Sequence, residues 1–162
     1  MTSIESVPQS AIDPDVTAGV AQFLGQVVTD LTALSVDGKQ AHWHVRGSNF
    51  QAVHELLDVV VDHAREYADT AAERVVALGL PIDARIQTVA QKAGTPQMTP
   101  GFRQSGDVIA EVIAAIDATL RSVRSAVDGL EPLDPVSQDV AIEIARGLEK
   151  DRWFLFAHVS AK

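Results

Sequence analysis

Cysteine is absent from the 162 residues. That excludes a disulfide framework and any thiolate metal site, and it fits a reducing cytoplasm. Long apolar runs are also missing, so no transmembrane helix is expected. The first fifteen residues, MTSIESVPQSAIDPD, lack both a basic start and an apolar core, so no signal peptide is expected there. Basic charge is scarce. Thirteen Lys and Arg stand against 22 Asp and Glu, for a net charge of −9. No Lys or Arg precedes Val16, and after Arg152 only His158 and Lys162 carry basic groups. Without a basic arm such a chain repels nucleic acid and favours cations. The length suits one domain, with a core that needs no cross-links.

What is present is helical periodicity. Asp13-Pro14 reads as an N-cap followed by proline at the first helical position. Val16, Val20, Phe23, Leu24, Val27, Leu31 and Leu34 then recur at helical spacing, toward His44 and a stop near Gly47. Ser48 and Gln51 form the pattern of a capping box for a second helix, from about Asn49 to Leu78, closed by Gly79 and Pro81. The connection from Leu80 to Phe102 is long for a loop, and Asp83 to Ala93 has room for a short extra helix. A further helix is expected from about Gly106 to Asp128, closed by Gly129, and a last one from Pro135 to about Ser160. No strand-like alternation persists. Four long helices make an all-α four-helix bundle, and the long middle connection makes a crossover along it. Residues 1–13 read as a flexible acidic arm, and 14–160 as the single domain.

The chemistry concentrates between Lys39 and Arg74, KQAHWHVRGSNFQAVHELLDVVVDHAREYADTAAER. His42, His54, Asp58, Asp69 and Glu73 form a nitrogen-and-oxygen ligand set suited to iron or manganese, with zinc as a competitor. His54 and Asp58 lie four apart, on one helix face, and so do Asp69 and Glu73. Eleven residues separate Asp58 from Asp69, close to three full turns, so both pairs point the same way. Yet that separation is roughly 16 Å along the axis, while metal–ligand bonds are about 2 Å. One straight helix cannot close both pairs on one ion. Two copies placed antiparallel across a twofold axis can: the His54/Asp58 pair of one meets the Asp69/Glu73 pair of the other, joined by His42. Taken singly, each of these residues reads more simply as part of a solvated face; the five together favour a metal site. An intrabundle di-iron centre needs Glu-x-x-His motifs, and no histidine here has a glutamate three residues before it.

These residues resemble the Dps family, the miniferritins of the ferritin-like superfamily. The motif is Lys39-x-x-His42-Trp43, Gly47-x-x-Phe50, His54-x-x-x-Asp58 and Asp69-x-x-x-Glu73-Arg74, with Leu148-Glu149-Lys150 and Trp153-Phe154 later in the chain. The resemblance implies a hollow shell of twelve four-helix subunits with ferroxidase sites at twofold interfaces. It implies His42, His54 and Asp58 from one subunit and Asp69 and Glu73 from its partner. Iron(II) would be bound, oxidised by hydrogen peroxide or dioxygen, and stored as ferric mineral. Trp43, beside the site, would trap a stray oxidising equivalent or pack at the dimer interface. Trp153 and Tyr67 read as core or interface residues, and Lys39 and Arg74 as ion-pair partners of site carboxylates. The family places a threefold pore between the last two helices, where Asp134, Asp139 and Glu131 would draw iron(II) inward; Asp134 reads equally as a helix cap. The faces of Asp62, His63 and Glu66 stay open, as cavity or interface.

The resemblance also brings DNA binding, against which the acidic ends argue. Two other readings compete with an iron-storing enzyme: a nucleoid DNA-compacting protein with a secondary iron site, and a metal-dependent hydrolase whose bound metal activates water. The arm composition disfavours the first. The second lacks a substrate pocket and a general base apart from the ligands.

Overall fold

The computed structural model describes residues 10–159. Most of the acidic arm, residues 1–9, and the end of the last expected helix, from Ser160, lie outside the described residues. The elements are α1 (Pro14–His44), β1 (Val45–Arg46), α2 (Phe50–Ala77), α3 (Ile86–Lys92), β2 (Arg103–Gln104), α4 (Ser105–Leu130) and α5 (Pro135–Ala157). The fold is all-α and ferritin-like in plan, with four long helices and α3 as the short extra helix within the crossover.

Each long helix buries one apolar stripe. Val20, Leu24, Val27, Leu31 and Leu34 of α1 meet Val53, Leu57, Val60 and Ala64 of α2 in a core shared with Ile109, Val112 and Ile116 of α4 and with Ile144 and Leu148 of α5. Helix α1 packs on α2 and α4, and α5 packs on α4 and α2, so the helices close in the order α1–α2–α5–α4. Both proline starts are capped as the sequence suggests. Asp13 accepts from the Asp15 amide, and Asp134 accepts from the Ser137 amide.

The crossover is set by a feature that alternation did not announce. Two strands of two residues each pair in parallel, Val45 with Arg103 and Arg46 with Gln104. Parallel pairing requires the chain to return to the end of the bundle where α1 finishes, so the connection runs the bundle's length. Buried Asp30 on α1 pins it on the way: its carboxylate accepts from the Gly94 amide at 2.7 Å, Gln26 Nε2 at 3.0 Å and Ser122 Oγ on α4 at 2.6 Å.

Three local expectations are corrected. No capping box forms at α2: the N-cap is Asn49 with no side-chain cap, Gln51 bonds Glu55, and Asn49 Oδ1 accepts from Ser105 Oγ across the bundle. Gly129 does not close the third long helix, which runs on to Leu130. Gly129 instead makes room for the Phe23 ring, since a Cβ there would stand 2.1 Å from Phe23 Cζ. Finally, short strands do exist, though too short for any periodicity to show.

Candidate metal centre

The end of α1 and the first turns of α2 bring His42, His54 and Asp58 together. His42 is buried, with 6% of its surface exposed. Its Nδ1 lies 2.8 Å from the His54 carbonyl oxygen, and His54 Nδ1 lies 2.9 Å from the His42 carbonyl oxygen. A carbonyl only accepts, so each Nδ1 carries the proton and donates. With Nδ1 donating, the lone pair of the uncharged form of each ring lies on Nε2, the atom a metal uses. The rings stack at a centroid distance of 3.6 Å and 22° between planes, and Phe50 lies against His54 at 4.9 Å. No described residue hydrogen-bonds either Nε2.

Asp58 stands one turn beyond His54. Its Oδ1 is bonded by Lys39 Nζ and lies 3.2 Å from His42 Nδ1. The Lys39 hydrogen bond holds the Asp58 carboxyl below the usual carboxylate range; burial opposes the shift, and the charges of His42, Lys39 and His54 add to it. Asp58 is thus an anion held by an internal cation.

Asp69 and Glu73 do not join them. Both are exposed on α2, and neither has a hydrogen bond or ion pair with any described residue. Among the described residues of one chain, no three His, Cys, Asp or Glu side chains converge on a point able to hold a metal ion. Trp43, next to His42 in the sequence, is 60% exposed.

Arg74 departs from its expected role. Rather than pairing with Asp69 or Glu73, it donates through Nη2 to Asp134 Oδ2 at 2.7 Å and through Nε to Ser137 Oγ at 2.9 Å. Asp134 is the α5 cap and is buried; Glu131 and Asp139 are exposed. Burial would raise the Asp134 carboxyl, but the hydrogen bonds from Ser137 and Arg74 outweigh it and hold the group below the ordinary range.

The open residues of α2 separate. Asp62 faces solvent 3.8 Å from Arg65. Glu66 is exposed. His63 Nδ1 lies 3.0 Å from both oxygens of Asp151, which is 2% exposed on α5. Burial raises the Asp151 carboxyl and the bond from His63 opposes it. Tyr67 lies over Gly147 at the same α2–α5 contact. Trp153 is no core residue, being 64% exposed within the chain. Sequence reasoning passed over Asp30 and Asp151; an aspartate within an apolar helical stripe was the available signal for both.

Comparison with known proteins agrees with this architecture. The family model described as a ferritin-like domain matches residues 21–161. A Dps from Microbacterium arborescens, solved in a high-iron form, superposes with a TM-score of 0.90 at 59% identity, covering 94% of this chain and 99% of its own. The DNA protection during starvation protein of Mycolicibacterium smegmatis is 33% identical over 88% of this chain and 78% of its own length. That of Agrobacterium fabrum is 32% identical, over 88% and 89%. Bundle, crossover and family-model match together define a ferritin-like protein. Within that class, the chain belongs to the Dps family.

Proposed function

We propose that the protein is an iron-oxidising, iron-storing miniferritin whose catalytic sites are shared between two copies of the chain. The observation that carries this reading is the split ligand set. His42 and His54 brace each other with neither Nε2 bonded by a described residue, and Asp58 stands one turn on, while Asp69, roughly 16 Å beyond Asp58 on the same helix, and Glu73 have no hydrogen bond or ion pair with any described residue. An isologous pairing of two α2 helices joins each half to its complement and makes two equal sites.

Iron(II) is the substrate. Imidazole nitrogens and hard carboxylates bind it, and the carboxylates favour the ferric product. Each iron yields one electron; hydrogen peroxide accepts two, its O–O bond breaks, and hydroxide forms. Dioxygen is the slower alternative oxidant. Trp43 stands where it can supply an electron to a stray oxidising species or pack on the partner. The ferric product is held as mineral inside a shell of twelve subunits in the cytoplasm, entered past Asp139 and Glu131. DNA is protected by removal of iron(II) and peroxide together, and the acidic chain itself does not hold DNA.

The test is anaerobic iron(II) titration followed by peroxide, with the product run on a sizing column. Fast ferric absorbance that stays soluble and elutes with a shell of about twelve subunits supports the reading. Oxidation no faster than in buffer, with nothing co-eluting, overturns it.

A further inference from the structure

Glu73, exposed in the second-last turn of α2, has no hydrogen bond or ion pair with any described residue. Its neighbour Arg74 is fixed. The guanidinium reaches from α2 to the first turn of α5, using Nη2 on Asp134 and Nε on Ser137. Asp134 Oδ2 in turn takes the Ser137 amide at 3.0 Å and the Ser137 hydroxyl at 2.5 Å. Side-chain exposure is only 19% for Arg74 and 9% for Asp134. The guanidinium is a rigid planar fork, so bonds from both Nη2 and Nε hold its orientation and tether the helix turn that bears Glu73 to α5.

We infer that Asp134, through Arg74, is a positioning residue for the metal centre, setting the turn of α2 from which Glu73 reaches the partner's His42, His54 and Asp58. This rests on the shared-site reading above. It gives Asp134 work distinct from the pore role expected of it: its oxygens face Ser137 and Arg74, so the carboxylates left at the α4–α5 turn for incoming cations are the exposed Glu131 and Asp139. It also accounts for an arginine directly after a ligand that does not pair with that ligand. Outer groups that orient ligands typically change metal affinity by about 10- to 100-fold.

Asp134→Asn separates the two duties of the residue. Asparagine caps helices as well as aspartate does, but it offers Arg74 no charge. Cobalt(II) is titrated into the assembled protein and its ligand-field absorption recorded, beside Glu73→Gln. The expected result is unchanged elution and helix content for Asp134→Asn, with cobalt affinity about 10-fold weaker. Arg74→Lys, which keeps the charge and loses the fork, is expected to match it, and it serves alone if Asp134→Asn fails to assemble. Wild-type affinity in Asp134→Asn or in assembled Arg74→Lys overturns the inference. Wild-type affinity in Glu73→Gln overturns the shared-site reading itself, so the two failures are distinguishable. Failure of both Asp134→Asn and Arg74→Lys to assemble assigns the clamp to folding and also overturns the inference.

Discussion

His42 and His54 hold each other through their main chains: each Nδ1 donates to the other residue's carbonyl oxygen, at 2.8 Å and 2.9 Å, across stacked rings. The pairing ties the last turn of α1 to the first turns of α2 and places a proton on each Nδ1. If a metal binds there, two imidazoles do not have to be ordered at the moment of binding.

If the centre is shared, inactive variants should rescue one another. His54→Ala and Glu73→Gln each lose the fast peroxide-driven oxidation when assembled alone. Refolded together, half the dimers are mixed, and each mixed dimer has one intact site and one doubly damaged site. Activity should return to about a quarter of the wild-type sites. No recovery in verified mixed shells would place all ligands in one chain.

Acid should weaken the Arg74–Asp134 clamp in a defined window. The Asp134 carboxyl is held below its unfolded value of about 3.9. Its stabilisation is therefore fully present above that value and is lost as pH falls through the lower folded value. Asp134→Asn should melt below the wild type at pH 7, by about 1–3 kcal/mol, and the two melting temperatures should converge below about pH 4. A gap that is constant with pH would contradict the assignment.

Two helical glycines should respond oppositely to alanine. At Gly25 a Cβ meets nothing within 4 Å, so Gly25→Ala should gain about 0.5–1 kcal/mol from helix propensity. At Gly129 a Cβ would lie 2.1–2.6 Å from three Phe23 ring atoms. Overpacking of about 1–3 kcal/mol there exceeds the same propensity gain. Thermal melts should show Gly25→Ala above the wild type and Gly129→Ala below it.

Linear duplex DNA should not be retarded by the protein in a gel at neutral pH and physiological salt. The net charge is −9, and no Lys or Arg precedes Val16. A clear shift under those conditions would require a basic surface that neither terminus supplies.

Much of this was legible in the residues alone. Periodicity named the four long helices because a 3.6-residue repeat of Val, Leu and Ile is a local property that burial only ratifies. The proline starts after Asp13 and Asp134 were legible for the same reason. The candidate ligand set was drawn from side-chain type, and the spacing alone rules out closure of both pairs on one ion within one helix. Local motifs failed where a distant group made a better offer. Phe23 claimed the space at Gly129, and Arg74 turned from the nearby carboxylates to Asp134 sixty residues away.

The sequence by itself determined the helices, the acidic character and the placing of His42, His54, Asp58, Asp69 and Glu73 on helical sequence, because each depends on composition or on neighbours within a few turns. Only the tertiary structure decided which partners the polar groups take: the mutual bracing of His42 and His54, the hold of Lys39 on Asp58, the clamp of Arg74 on the α5 cap, and the burial of Asp30 and Asp151. Those choices follow from desolvation. A polar group carried inside by its helix must find whatever donor or acceptor the packing brings beside it, and that neighbour is set by the fold, not by the residues next to it in the chain.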